Sequence, residues 1–315
     1  MGQLSLENIQ EASRVIDPVF LNSPQYWSEA LSRELGTKIF VKVETQNPIR
    51  SFKGRGADYW VSKLRGDERL VCASAGNFGQ GLAYAARKRG IALTIFASVN
   101  ANPLKIERMQ SLGAQVSLAG EDFDAAKLLA KEYAAKTGAL MVEDGLIPEI
   151  SEGAGSIAVE LLKQDNPPAT WLIPLGNGAL LSGVGSWVKA VRPDIKVIGV
   201  AAQGAPAMER SWRSGELVVF DRIDTVADGI GVRIPIPEAL EDLKNVVDEI
   251  LLVNDEAIIQ GMKLIQRHLG LVAEPSAAVG IAAVAAYPKM LTEECVATII
   301  CGGNLTPEQM KNWLG

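Results

Sequence analysis

Apolar, β-branched runs alternate along the chain with stretches whose apolar positions recur every three or four residues. KIFVKVE (38–44), RLVCAS (69–74), ALTIFAS (92–98), TWLIPL (170–175), KVIGVAA (196–202) and the start of CVATIICGGN (295–304) read as strands, and AQVSLAG (114–120) as a shorter one. GLAYAARKRG (81–90), PLKIERMQSLG (103–113), DFDAAKLLAKEYAAKTG (122–138), SEGAGSIAVELLKQ (151–164), EAIIQGMKLIQRHLG (256–270) and AAVGIAAVAAYPK (277–289) read as helices. Such alternation predicts an α/β protein with two open, parallel or mostly parallel sheet domains and helices on both faces. Residues 69–143 form a compact run of these units, and are expected to be a small domain inserted into a larger one built from 1–68 and 144–315.

Composition narrows the function. The chain has 315 residues, 48% of them hydrophobic, which is ample for two buried cores. A formal net charge of −6 and the lack of a Lys/Arg run argue against a nucleic-acid partner. Cys72, Cys295 and Cys301 make no C-x-x-C pair and no even framework, which points to a reducing cytoplasm. Glu7, Glu11 and Arg14 interrupt the opening stretch where an export signal needs an apolar run, and no segment reaches membrane-spanning length. The expectation is a soluble cytoplasmic protein without a membrane partner. His268 is the one histidine, with no G-x-S-x-G or H-E-x-x-H around it, and reads as a helix-end residue. A catalyst here needs another proton-transfer group, and lysine is the obvious choice.

Three glycine-rich turns follow the expected strands, where ligands of such folds bind. SAGNFGQG (74–81) offers Ser74, Asn77 and the amides of a following helix, a place for a carboxylate or phosphate. PLGNGALLSG (174–183) exposes backbone amides as a phosphate cup. It is not a dinucleotide fingerprint, because Leu181 stands where the third glycine belongs and no acid closes the next strand. CGGN (301–304) ends a strand on a thiol. The fourth element is SFKGRGA (51–57), which is either a surface turn or a reactive lysine that the glycines allow a ligand to approach. A lysine for an aldehyde, a carboxylate clamp, a phosphate cup and a weak partner at a strand end together describe pyridoxal phosphate.

In these motifs the sequence resembles the fold type II, tryptophan-synthase-β-like pyridoxal-phosphate enzymes, and most of all their threonine/serine dehydratase and serine racemase branch. The likeness runs from NSPQYWSEALSRELG (22–36) through SFKGRGA, SAGNFGQG, SEGAGSIAVELL, IPLGNGALLSG, VADGI and EPSAA to CGGN. It implies that Lys53 binds the cofactor covalently and later transfers protons, with Phe52 packed on the cofactor ring and Asn77 bonded to the ring hydroxyl. It implies that Gly176, Asn177, Gly178, Ala179 and Leu180 cradle the phosphate, and that Gly229 and Glu274 lie at the cofactor. Cys301 would face the pyridine nitrogen and leave it largely unprotonated, which suits elimination over transamination. The substrate would lie on Ser74, Ala75, Gly76, Asn77 and Phe78, with Ser74 and the loop amides on its carboxylate. The implied activity is an ammonia-lyase that dehydrates a β-hydroxy-α-amino acid such as L-threonine or L-serine to a 2-oxo acid and ammonia. The alternative is a lyase or racemase for another β-substituted amino acid. The branch also implies a homodimer.

The departures from the branch carry information. Ala75 replaces the second serine that its racemases place on the opposite face of the substrate, which favours dehydration. Phe78 stands in place of the usual histidine, either as packing or as part of an apolar pocket. Arg50 stands before SFK in place of glycine, to bind an anionic side chain or to serve the loop. Asn177 and Ala179 interrupt the run of glycines in the cup. Alanines at 201 and 207 replace the acids that bind a divalent ion, so no metal is expected. The short stretch after CGGN leaves no room for a C-terminal regulatory domain.

Overall fold

The computed structural model describes residues 4–291 and 295–315. Two sheets organise them. The larger has the order β1 (Gln25–Trp27), β2 (Lys38–Val43), β10 (Cys295–Ile300), β7 (Thr170–Pro174), β8 (Lys196–Ala202), β9 (Glu249–Val253); β1 alone is antiparallel. The smaller is fully parallel, in the order β5 (Gln115–Leu118), β4 (Ala92–Ala97), β3 (Arg69–Ala73), β6 (Leu140–Val142). The central strands of the large sheet are buried from end to end, which is why they read as unbroken apolar runs. The three-residue strands β1 and β6 are too short to show a period, and pattern alone located neither them nor β9.

Helices cover these sheets. Ahead of the small sheet come α1 (Leu6–Val15), α2 (Glu29–Leu35) and α3 (Lys53–Ser62); around it lie α4 (Asn77–Lys88), α5 (Pro103–Ser111) and α6 (Phe123–Thr137). There follow α7 (Pro148–Leu161), α8 (Ala179–Val191), α9 (Ala207–Ser214), α10 (Pro237–Leu243), α11 (Asp255–Leu269), α12 (Pro275–Ala286), α13 (Pro288–Leu291) and α14 (Pro307–Leu314), with a single 3-10 turn at Asp228–Ile230. Helix α12 is alanine-rich and buried almost all round in the large core, so it carries no amphipathic stripe. His268 occupies the last turn of α11, as its sequence setting implied. Among the described residues, no helix is long and apolar enough to cross a membrane.

SFKGRGA is not a surface turn. It opens α3, whose residues Gly54 to Val61 are buried between α4 and α7. The segment before it is stitched to the far end of the chain. Phe52 donates its amide to the Cys301 carbonyl at 3.0 Å, Gly303 donates to the Arg50 carbonyl at 3.0 Å, and Ser51 bridges Gly302. Strand β10 therefore fixes where the lysine helix starts.

Two residues further into the buried helix, Arg55 has no exposed surface and faces two carboxylates. Its Nε and Nη2 donate to Glu44 at 2.8 and 2.9 Å, and its Nη1 and Nη2 to Glu160 at 2.7 and 3.0 Å. Lys42, 1% exposed, completes the group with a bond to Glu160 at 2.5 Å and others to the Ser23 carbonyl and Gln25. Two cations thus meet two anions across β2, α3 and α7. Burial would raise the Glu160 carboxyl, but Arg55 and Lys42 overcome it and hold it at about 2. The stabilisation from Glu160 is complete above the ordinary value of 4.5 and is lost as pH falls toward 2. Replacing Arg55 by methionine leaves Glu44 without a cation and Glu160 with Lys42 alone, and is expected to cost about 3–5 kcal/mol in urea unfolding. The same series run between pH 5 and pH 2 should show wild-type protein losing the larger share of its stability.

Candidate active site

Lys53 is the first residue of α3, and its side chain is 13% exposed. Its Nζ lies 4.9 Å from the centre of the Phe52 ring and 2.5 Å from Asp144 Oδ2. Asp144 follows β6, the neighbour of β3, and Ser74 follows β3 itself. The lysine and the carboxyl ends of two parallel strands therefore meet at one place.

The loop after β3 is organised by Ser74, whose Oγ accepts the amides of Gly76 at 3.2 Å and Gly79 at 3.0 Å. Helix α4 begins at Asn77, earlier than the apolar period suggested, with no side-chain cap from Gly76. Asn77 is held from two sides: Nδ2 donates to Glu274 Oε1 at 2.7 Å, and Oδ1 accepts from Asn304 Nδ2 at 2.8 Å. One Nδ2 proton of Asn77 remains for another acceptor. The ring of Phe78 goes elsewhere. It packs in the apolar cluster of the small sheet with Leu82, Ile95 and Met109, so only its backbone belongs to the loop.

The turn after β7 carries the second set. Gly178 has φ 103° and caps α8 without a side-chain bond, a conformation that suits glycine. Asn177 Oδ1 accepts the Ala179 amide at 3.3 Å, and the side chains of Ala179 and Leu180 are buried in the core, leaving main-chain groups at the helix start. A side chain at 176 would meet the carbonyl of Gly229 at 3.2 Å, and one at 229 would meet Ser276 Oγ at 2.6 Å. Cys301 is buried and its Sγ donates to the Ser276 carbonyl at 3.7 Å; burial, with Glu274 nearby, pushes the thiol well up and keeps it neutral.

These contacts close a circuit: Lys53 to Asp144, the neighbouring Gly145 to Asn177, Gly176 to Gly229, Gly229 to Ser276, Ser276 to Cys301, and Cys301 back to Phe52. Glu274 and Asn77 span it, while Ala75, half-buried, stays at the loop. Of the residues singled out in the sequence, Phe52, Lys53, Asn77, Gly176, Asn177, Gly229, Glu274 and Cys301 lie on or across this ring, and the Phe78 side chain does not. Arg50 also faces away. It has φ 53° and lines a cavity of about 390 Å³ with Arg108 and Leu305, apart from Lys53 and Ser74. Two members were not found from sequence. Asp144 lies behind a three-residue strand, and Asn304 ends CGGN without any pattern that marks it as the partner of Asn77.

The residues fit a pyridoxal phosphate. An accessible amine, a start of α8 where glycines leave the main chain uncovered, and a buried Ser276 Oγ without a hydrogen-bond partner lie along that circuit. No group of His, Cys, Asp and Glu suited to a metal occurs among the described residues.

Comparison with known proteins shows the family. The family described as pyridoxal-phosphate dependent enzyme matches residues 16–302, and the chain belongs to it. Within it the fold is that of the type II enzymes. The chain is similar to an L-threonine ammonia-lyase of Thermotoga maritima, 37% identical over 305 residues that cover 96% of this chain and 76% of that protein. It is 32% identical over 280 residues to the L-threonine dehydratase biosynthetic IlvA of Pasteurella multocida, covering 87% of this chain and 55% of that protein. In three dimensions it resembles maize serine racemase, with a TM-score of 0.92 and 26% identity over 98% of this chain and 96% of the other.

Glu274 gives the site a testable electrostatic signature. Burial, then the charge of Asp228, raise its carboxyl to about 7, against the opposing bonds from Asn304 and Asn77. A raised carboxyl binds its proton more tightly when folded. Its contribution is therefore full below the ordinary value of 4.5 and is lost as pH rises through 7. Glu274→Gln imitates the protonated form. Urea unfolding at pH 5 and pH 8 should show wild type losing up to about 3 kcal/mol relative to the variant over that interval.

Proposed function

We propose that this chain is an ammonia-lyase that dehydrates a β-hydroxy-α-amino acid such as L-threonine or L-serine. The observation that carries the reading is the position of the Lys53 amine, at the end of β3 and β6 and within one circuit with the α8 start and Cys301. The names of the Thermotoga and Pasteurella relatives support the same substrate class.

The bound cofactor supplies an aldehyde and an electron-withdrawing ring. Lys53 holds it covalently, and its freed amine takes the proton from the substrate α-carbon. The Ser74 hydroxyl keeps a proton to donate, and with the unpaired loop amides it holds the substrate carboxylate at the start of α4. Main-chain groups from Gly176 to Leu180 hold the phosphate. Phe52 and Asn77 fix the ring, with Gly229 and Glu274 behind it. Cys301 keeps its proton and, as the residue that would face the ring nitrogen, would offer it a neutral thiol in place of a carboxylate. Water leaves the substrate from the β-carbon, and hydrolysis of the product gives a 2-oxo acid and ammonia. The small sheet, with residues 69–143 as a body inserted in the rest, brings the carboxylate loop over the large sheet. A homodimer in the cytoplasm is the setting this reading assumes.

Purified protein with pyridoxal phosphate should release 2-oxo acid and ammonia in equal amounts from L-threonine, L-serine or L-threo-phenylserine, each supplied alone. Absence of product from all three would refute the substrate class. Lys53→Ala should lower turnover by about 10²–10⁴-fold, as expected for loss of a positioned proton-transfer group. Ala75→Ser restores a hydroxyl on the opposite face. Chiral chromatography of recovered serine should then show more racemisation than in wild type.

A further inference from the structure

We propose that Asp144 is the positioning residue for Lys53, holding its amine in place whenever that amine is not joined to the cofactor. The inference rests on the reading of Lys53 as the cofactor lysine and adds what governs its free form. The turn that bears Asp144 is fastened on both sides. Glu143 pairs with Lys127 and, at 3.2 Å, with Lys131, both on α6. Gly145 has φ 87°, and a side chain there would meet Asn177 at 3.1 Å. Between these anchors Asp144 has little freedom, and its Oδ2 receives Lys53 Nζ at 2.5 Å.

The carboxylate is not committed to anything else. Asp144 Oδ1 is buried with no hydrogen-bond partner, and Lys53 is the one side chain bonded to Asp144 among the described residues. The carboxylates that hold Arg55 look different: Glu160 and Glu44 are each bonded through both oxygens. The pair is also only partly shielded, at 13% and 18% exposure, so it lies where a ligand reaches it.

Two chemical consequences follow. An ammonium has no lone pair with which to attack an aldehyde, so Asp144 slows the union of Lys53 with any carbonyl. After the substrate amine has displaced Lys53, the proton lost by the α-carbon comes to rest on Lys53 Nζ. Asp144 receives the resulting ammonium, and the proton brings the pair from a net negative charge to neutrality.

The test compares the full chain, stripped of cofactor, as wild type, Asp144→Asn and Asp144→Glu. Reductive methylation with formaldehyde at neutral pH, read at Lys53 by peptide mass spectrometry, is expected to run about tenfold faster in the Asn variant. The Glu variant should stay near wild type, and pyridoxal phosphate should recombine faster with the Asn variant by a similar factor. Equal labelling of Lys53 in a folded Asn variant overturns the role. If that variant does not fold, wild-type protein decides. There Lys53 methylation is followed against pH and normalised to the exposed Lys311; the normalised labelling of Lys53 is expected to rise as the carboxylate is protonated, and a flat ratio overturns the proposal. Borohydride trapping of pyridoxal phosphate separates the two failures. Cofactor absent from Lys53 refutes the function proposed above, whereas cofactor on Lys53 with unchanged labelling refutes only the part given to Asp144.

Discussion

A guanidinium without solvent, set between two carboxylates, is the constraint on which the site depends. Arg55 stands two residues after Lys53 on the same helix, and its bonds reach Glu44 behind β2 and Glu160 on α7. Taking these charges out of water is unfavourable by several kcal/mol for each ion, so they persist only with near-complete hydrogen bonding. That completeness is observed. Arg55 uses Nε, Nη1 and Nη2, and Ser156 and Ser23 take what the acids leave. A fork with fixed geometry does not tolerate rotation or sliding of its helix. The start of α3 is therefore set by bonds that any shift would break at high cost, and Lys53 inherits that precision.

A second clamp acts at the other end of the lysine segment. Phe52 and Arg50 exchange main-chain bonds with Cys301 and Gly303, some 250 residues away in sequence for the Ser51–Cys301 pair. The end of β10 thus holds both the thiol and the segment that delivers the lysine, and neither moves without the other. Glu274 adds a third link, bonded to Asn77 of the small-sheet helix and to the Asn304 amide of the C-terminal loop. Each clamp joins elements that were separate strings in the sequence.

Much of this was legible beforehand, and for identifiable reasons. The strands flanking the site are buried on both faces, so they appear as continuous apolar runs, and the glycines after them mark turns where a main chain must lie open. Ser74, Asn77, Gly176 to Leu180 and Cys301 were singled out that way, whereas Lys53 came from SFKGRGA and the resemblance it carries. The failures are equally physical. Helix α3 hid because its buried face is lined with glycine, arginine and aspartate rather than an apolar period. Asp144 follows a strand of only three residues, too short to read. The ring of Phe78 could not be aimed from sequence, since the start of α4 at Asn77 decides which face it presents. Pairings such as Asn77 with Asn304 depend on tertiary placement and leave no local trace.

The distribution of charge explains how such a site serves anions without an arginine at its centre. Glu274 is held near neutrality by burial, Cys301 keeps its proton, and Lys53 is balanced by Asp144. What remains to meet a phosphate and a carboxylate is main-chain N–H at the starts of α8 and α4, neither capped by the side chain of the residue before it. Amides in a helix start are oriented before any ligand arrives and lose no rotamer freedom on binding, unlike a long cationic side chain. Under the proposed function both anions would be held on the backbone, and the lysine amine would be the charge that moves, between cofactor, substrate and Asp144, within the fixed frame around it.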